Sequence, residues 1–373
     1  MIHLAKSAVL KLWLLLLLLI VISAFLLTTG RLLTPLVAGY RSDVERLLST
    51  ALAQPVEIGR LSARWRGLGP ELVLQDVSVL APESGREALR IGRAAIQVAL
   101  FDSLRSLTVK PRLITLSGLQ LLIRRHRDGA VSIGGLEGLG GDRDDAGVGR
   151  LFGLPGRVRL TDSDIYWENR LIGAPPVRFP HVEALFLNDG ERHRLEATFT
   201  TPGGGSARAI GELAGDLGRT GSWSGRFYLN GRNLALADLL NQRLPEAYQI
   251  RSGLLDLELW GRWDRTRFSE LEGGIALTGL ELERVRETEG AELESLSLEH
   301  LDGDFRWRRR PDGWLLQADS IDVTRGGSRW PTGRMALRAR NGEPGGSRYD
   351  GGIDFLRLDD VAAIAAMLPL PER

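Results

Sequence analysis

No cysteine occurs among the 373 residues, which excludes disulfide staples, thiolate zinc sites and cysteine nucleophiles together. Net charge is missing too: 48 Lys and Arg stand against 47 Asp and Glu, leaving +1. A chain so balanced has no field with which to attract nucleic acid or steer an acidic substrate. Histidine is sparse, and the five present (His3, His126, His181, His193 and His300) are scattered, none with another histidine four residues on. Asp142, Asp144 and Asp145 sit in a Gly-rich stretch that lacks the later ligands and bidentate Glu of a calcium loop. Gly203-Gly204-Gly205 precedes no Lys-Ser or Lys-Thr pair, so no phosphate-cradling loop forms there. The sequence therefore predicts no catalytic residue, no metal site and no cofactor.

Hydrophobic residues make up 43% of the chain, enough for a substantial core. Only one apolar run is long. Val9 to Leu27, with Lys11 its only charged residue, nearly spans a ~30 Å hydrocarbon core at ~1.5 Å per helical residue. Lys6 and Lys11 precede or open that run, and Lys11 can snorkel outward, which predicts a cytoplasmic N-terminus and an exported body. Phe25 to Gly30 offers no small-x-small cleavage site, so residues 1–33 are read as an uncleaved anchor, with Leu12, Leu16, Ile20, Phe25 and Leu27 facing lipid.

Residues 34–54 are read as a capping amphipathic helix. Ser42-Asp43-Val44-Glu45 has capping-box spacing, Val44, Leu47, Leu48, Ala51 and Leu52 share a face, and Pro55 stops the helix. From Leu72 onward the apolar period becomes two, the mark of strands with one greasy and one polar face. Leu72 and Leu74 begin it; Ile96, Val98 and Leu100, then Leu119, Leu121 and Ile123, then Val158 and Leu160, then Leu255, Leu257 and Leu259 continue it, and Phe305, Trp307, Trp314 and Leu316 carry it on. Asp-Gly at 128–129 and 312–313 suits hairpin turns and predicts antiparallel neighbours. Leu234 to Leu240 echoes Leu356 to Ala362, each with an Asp placed to cap a short helix after a strand, as in a repeat array. The predicted fold is mainly β: one elongated antiparallel sheet over 55–373, with loops at 134–149 and 341–347. The chain stops without a capping element, as expected of a fragment of a longer sheet.

Arg124-Arg125-His126-Arg127 and Arg306-Trp307-Arg308-Arg309-Arg310 have guanidinium forks that match phosphate, but beside hairpin tips they are read as solvated ends. What covers the apolar strand faces is left open by the pattern itself. A second sheet would make a closed sandwich; an uncovered, curved sheet would make a trough able to hold hydrocarbon.

Several short motifs bear on that choice. Gln54-Pro55-Val56-Glu57-Ile58, Leu61-Ser62-Ala63-Arg64-Trp65, Gly69-Pro70-Glu71-Leu72 and Gln75-Asp76-Val77 follow the anchor and helix, and Leu160-Thr161-Asp162-Ser163-Asp164-Ile165 and Leu187-Asn188-Asp189 come later. In this order they resemble the N-terminal part of the YhdP-type, AsmA-like family of bacterial envelope proteins. The resemblance implies a non-enzymatic carrier anchored in the bacterial inner membrane, with a periplasmic, U-shaped antiparallel groove that holds phospholipid acyl chains on their way to the outer membrane. Envelope proteins of either membrane would be further partners. On that reading the groove is lined by Leu72, Leu74, Ile96, Val98, Leu100, Leu119, Leu121, Ile123, Val158, Leu160, Leu255, Leu257 and Leu259. The rivals are a periplasmic scaffold or assembly factor built as a closed sandwich without lipid, and an envelope-glycan hydrolase, which would need two carboxylates roughly 5–10 Å apart in a pocket.

Overall fold

The computed structural model describes residues 39–367 apart from 53, 68, 82–84, 86, 108–109, 128–130, 135–155, 171–172, 216–222, 246, 266, 285–293 and 342–346. The anchor residues Leu12, Leu16, Ile20, Phe25 and Leu27 lie outside the described residues, as do the Asp128-Gly129 turn and nearly all of both expected loops. Among the described residues no helix is long and apolar enough to cross a membrane. The fold is mainly β, with seventeen strands among the described residues, and it divides into two units, Met1–Gly118 and Leu119–Arg373.

In the first unit, helix α1 (Arg41–Leu52) leads into strands β1 (Val56–Arg66), β2 (Gly69–Leu80) and β3 (Glu87–Val98), helix α2 (Leu100–Ser106) and the first half of β4 (Pro111–Arg125). β1, β2 and β3 form an antiparallel ladder. Directly opposed residues share a face, so Leu61, Leu74 and Ala94 line up, as do Ile58, Val77 and Ile91. Glu71 falls on the other face, opposite Arg64 and Gln97. There it is 1% exposed; burial works to raise its pKa, but hydrogen bonds from Arg64, Gln97 and Arg66 hold it below the ordinary carboxylate value.

Two expectations are corrected here. Glu45 does not close a capping box: its Oε1 accepts the Ile58 N–H at 2.9 Å, while Ser49 Oγ accepts the Val56 N–H at 2.9 Å. β1 is a sheet edge, and its outward ladder donors need acceptors more than the helix start does. α1 therefore rolls to present Glu45 and Ser49, which leaves Leu47 68% exposed. Leu100 is not a strand residue either. β3 ends at Val98, and Ala99 N–H bonds Lys110 O while Lys110 N–H bonds Ser103 Oγ, closing a helical turn before β4.

The second unit holds the rest of β4 and β5 (Val131–Ile133), followed by β6 (Gly156–Asn169), β7 (Ala174–Asp189), β8 (Arg192–Thr200), β9 (Ser206–Ala214) and β10 (Ser224–Ala235). Helix α3 (Leu236–Leu240) and a 3-10 turn (Asn241–Arg243) come next. Then follow β11 (Tyr248–Asp264), β12 (Arg267–Arg284), β13 (Glu294–Arg310), β14 (Gly313–Arg325), β15 (Ser328–Arg329), β16 (Gly333–Asn341), β17 (Ser347–Ile353) and helix α4 (Leu358–Met367). From β6 to β17, successive neighbours among the described residues pair antiparallel. β4 against β6 departs from the expected alternation of direction. Leu119 N–H meets Ser163 Oγ, Arg124 meets Glu168 and Arg170 N–H meets Arg125 O, so the two strands advance together, a parallel arrangement. Such a pair needs a connection of about a dozen residues or more, and the chain between Arg125 and Gly156 is long enough for one. The turn at Pro311-Asp312 also differs from expectation, because Arg310 pairs directly with Gly313 and the positive φ (148°) belongs to Gly313, inside the strand.

One device recurs along both units. Asp76, Gly118, Asp162, His181, Asn233, Gly279 and Ser320 sit in mid-strand with φ between 48° and 65°. At Asp162, His181, Asn233 and Ser320 one residue is inserted relative to a partner strand, whereas at Asp76 the register runs on unshifted with Gly59 and Gly92 opposite. In either case the apolar positions change parity, as from Leu72 and Leu74 before Asp76 to Val77 and Val79 after it. The same happens from Val158 and Leu160 to Ile165 and Trp167, and from Ile275 and Leu277 to Leu280 and Leu282. Without the left-handed residue, the second half of each strand would turn its apolar side chains to the polar face.

Asp76→Val, which places a β-branched residue at φ 52°, is expected to cost about 1–2 kcal/mol, whereas Asp76→Gly should be near neutral. Urea unfolding of the two variants checks this; equal loss for both would mean that the left-handed geometry is not the constraint.

Candidate functional site

The register of the second unit aligns its apolar positions into unbroken cross-strand rows. One row runs Leu160, Ala184, Ala197, Ala209, Leu229, Leu259, Gly273, Phe305, Ala318, Met335 and Ile353, each paired with the next. A second, two residues along each strand, runs Val158, Phe186, Leu195, Gly211, Phe227, Gly261, Leu271, Trp307, Leu316, Leu337 and Gly351. Neither row contains a polar or charged side chain. At a strand spacing of ~4.8 Å, ten steps give an apolar path of about 48 Å along the hydrogen-bonding direction. Size is complementary within the rows: a Cβ on Gly261 would lie 2.2 Å from the Phe227 ring, so that ring already fills the space above the glycine.

These side chains are packed against lateral neighbours but not sealed. Val158, Leu160, Leu229, Leu257, Leu259, Ile275, Phe305 and Trp307 are all half-buried, and Leu195 is 43% exposed. The opposite face carries the charge. Arg194 and Arg226 bracket Glu212 at 2.8 and 2.7 Å, Arg308 meets Glu270 at 2.8 Å and Arg306 meets Glu272 at 2.8 Å. A depression of about 700 Å³ on that face, floored by Tyr228 and Trp260, is walled by these same mutually satisfied pairs. The arginine run at 306–310 thus serves largely as ladder partners.

Of the residues expected to line a groove, Leu255, Leu257 and Leu259 stand side by side on β11 with Leu234, Gly231 and Leu229 on one flank and Leu277, Ile275 and Gly273 on the other. Val158 and Leu160 open the two rows above. Leu119 and Leu121 are buried and Ile123 half-buried on β4. In the first unit Leu72 pairs with Ile96, Leu74 is 1% exposed, and Val98 ends its strand. Leu100, as above, is in a helix. Sequence reasoning missed Phe186, Phe227 and Leu271, which share the rows, and Ile275, which stands opposite Leu257; Phe186 lies beyond the parity change at His181, where a fixed period of two loses the face.

At the other strand ends, short helices cover the apolar side. α3 follows β10 with Leu236 buried beside Gly253, and Tyr248 Oη donates to Met367 O at 2.7 Å. The two aspartates read as helix caps do otherwise: α3 has no side-chain cap, and Asp360 is 2% exposed, accepting from Arg325 at 2.6 Å and from Trp330 Nε1 at 2.7 Å. Burial raises the Asp360 pKa, but Arg325, Trp330 and Arg357 outweigh it and hold the carboxyl below its usual range. Trp330 in turn packs edge-on against Phe355 at 5.7 Å. Among the described residues no group of His, Asp and Glu could hold a metal ion.

The family described as YhdP protein matches the chain over residues 1–373. The curated relative named Intermembrane phospholipid transporter YhdP, from Escherichia coli strain K12, is 22% identical over 364 residues, covering 94% of this chain and 27% of the relative. The chain thus spans about a quarter of the length of that relative. No solved structure matches it.

Because the Asp360 pKa is lowered on folding, its contribution is complete above its unfolded value of ~3.9 and lost as pH falls through the folded one. Asp360→Asn should lower the thermal midpoint at neutral pH, with a loss on the order of 2 kcal/mol, and the gap from the parent chain should close below about pH 4. A gap independent of pH in thermal melts would contradict the ion-paired assignment.

Proposed function

The chain belongs to the YhdP protein family, and on that premise we propose that it is the inner-membrane end of a phospholipid carrier. Residues 9–27 anchor it, α1 closes the edge of β1 at the start of the periplasmic body, and the apolar side of the strands holds acyl chains. The observation that carries this reading is the pair of cross-strand rows, each eleven residues long and free of polar side chains, most of whose large side chains remain half-buried or exposed. A packed sandwich core would seal such residues.

Hydrocarbon would complete the surface. Each CH₂ kept from water is worth ~0.8 kcal/mol, so a chain lying on leucine and phenylalanine is held firmly in total but by no single contact. It can therefore slide from one position to the next along a row without a large step in energy. Transport on such a surface needs no nucleophile, acid or metal. Homology to a protein named as an intermembrane phospholipid transporter supports phospholipid as the cargo and a non-enzymatic role.

Replacing Leu229 and Leu259, neighbours in the first row, together by Glu should abolish phospholipid co-purifying with the chain while circular dichroism keeps its β signature. Lipid content measured by mass spectrometry that stays at the parent level would count against the apolar rows as the binding surface.

A further inference from the structure

The two ends of the strands in the second unit are chemically unlike. At the end covered by α3 and α4, arginines among the described residues are ion-paired: Arg251 with Glu283 at 2.8 Å, Arg284 with Glu294 at 3.8 Å and Arg325 with Asp360 at 2.6 Å. At the opposite end, where β11 turns into β12 and β13 into β14, residues 262–270 and 306–313 contain seven arginines against Asp264, Glu270 and Asp312, in a chain whose net charge is only +1. The two turns are neighbours, since Glu270 pairs with Arg308 across β12 and β13. Arg306 and Arg308 are held by Glu272 and Glu270. Arg265, Arg267 and Arg310 are exposed and have no ion pair among the described residues.

Beside these arginines, on the apolar side, lies a cluster of rings. Trp263 meets Phe268 edge-on at 4.6 Å, and Phe227 meets Phe268 at 5.6 Å. Phe268 is 40% exposed. From the rows outward the order is aliphatic, then aromatic, then the turn, where Arg267, opposite Asp264, and Arg310, opposite Gly313, are the last paired residues and stand on the charged side of the rim. That order follows a phospholipid from its acyl chain through the glycerol region to its phosphate, and it is the order found at a membrane–water interface. The guanidinium fork fits phosphate oxygens, and three unneutralised forks favour a headgroup with net negative charge.

We propose that Arg265, Arg267 and Arg310 form a headgroup lip, which receives the phosphate of an anionic phospholipid whose acyl chains lie on the adjacent rows. The inference rests on the acyl-binding reading given above and adds to it a polarity: headgroups project past the β11–β12 and β13–β14 turns, and not past the helix-covered ends. Discrimination between lipids then resides in the lip, while capacity resides in the rows.

The full chain, incubated with vesicles of equal phosphatidylglycerol and phosphatidylcholine, should retain the anionic lipid in excess when its bound lipid is extracted and weighed by mass spectrometry. With each guanidinium near the surface contributing about fivefold, R265Q/R267Q/R310Q should lose on the order of tenfold or more of that preference. Total phospholipid per chain should stay unchanged, and R265K/R267K/R310K should keep most of the preference. Because the three side chains are exposed, circular dichroism of the glutamine variant should match the parent. An unaltered lipid ratio in the folded glutamine variant would overturn the lip while leaving the acyl surface standing; absence of any phospholipid from both proteins would overturn both. Saturable binding of inorganic phosphate at the three arginines, without any headgroup preference, would also overturn it.

Discussion

Everything in this structure depends on cross-strand register. A strand alternates its side chains between two faces, so a slip of one residue anywhere would carry aliphatic groups to the charged side. The strands run up to 18 residues, long enough for their twist to require relief, and the left-handed residues at mid-strand supply it. Asp76, Asp162 and Asn233 tolerate that conformation because a short polar side chain can bond locally, and Gly118 and Gly279 because they have no Cβ. Each such residue changes the parity, and the apolar residues after it shift by one as well. Sequence and geometry thus agree strand by strand, and the agreement keeps two rows on one face free of charge across eleven strands.

The consequence is a division of labour between the two faces. Arg–Glu ladders such as Arg194–Glu212–Arg226 knit neighbouring strands on the wet side, where individual exposed pairs add little to stability but make the wrong register costly. The dry side is left with half-buried leucine, phenylalanine and tryptophan. Ordinarily this would invite aggregation; here it provides the surface that a lipid would cover. At the start of the β1 edge, Ser49 and Glu45 satisfy the backbone donors of Val56 and Ile58.

Much of this was legible in the sequence. The period of two around Leu255, Leu257 and Leu259 placed them correctly on one face, and Pro55 marked the end of α1 within a few residues. The likeness to the envelope family, carried by short motifs around Gln75-Asp76-Val77 and Leu160-Thr161-Asp162, agrees with the family match along the whole chain. Those same motifs contain the parity change: a residue of the apolar side, a polar residue, a left-handed position and then the apolar side again, as in Leu74-Gln75-Asp76-Val77 and Leu277-Thr278-Gly279-Leu280. The alternation was visible, but its interruption carried the geometry. The failures have tertiary causes. Glu45 was drawn from its capping position by an unpaired strand edge, Asp360 by Arg325 and Trp330, and Leu100 by a turn that closes on Lys110. None of these partners is near in sequence, so no local pattern could reveal them.

The central claim concerns which face meets hydrocarbon, and adjacent residues on β11 can decide it. Leu259 points into the apolar rows, and Trp260, its neighbour, to the charged face, where it is 47% exposed. A photoreactive benzophenone amino acid placed at each position in turn, in cells, should yield a phospholipid adduct at 259 and none at 260 when the purified chain is analysed by mass spectrometry. Equal adducts at both positions, or adducts at 260 alone, would contradict the account.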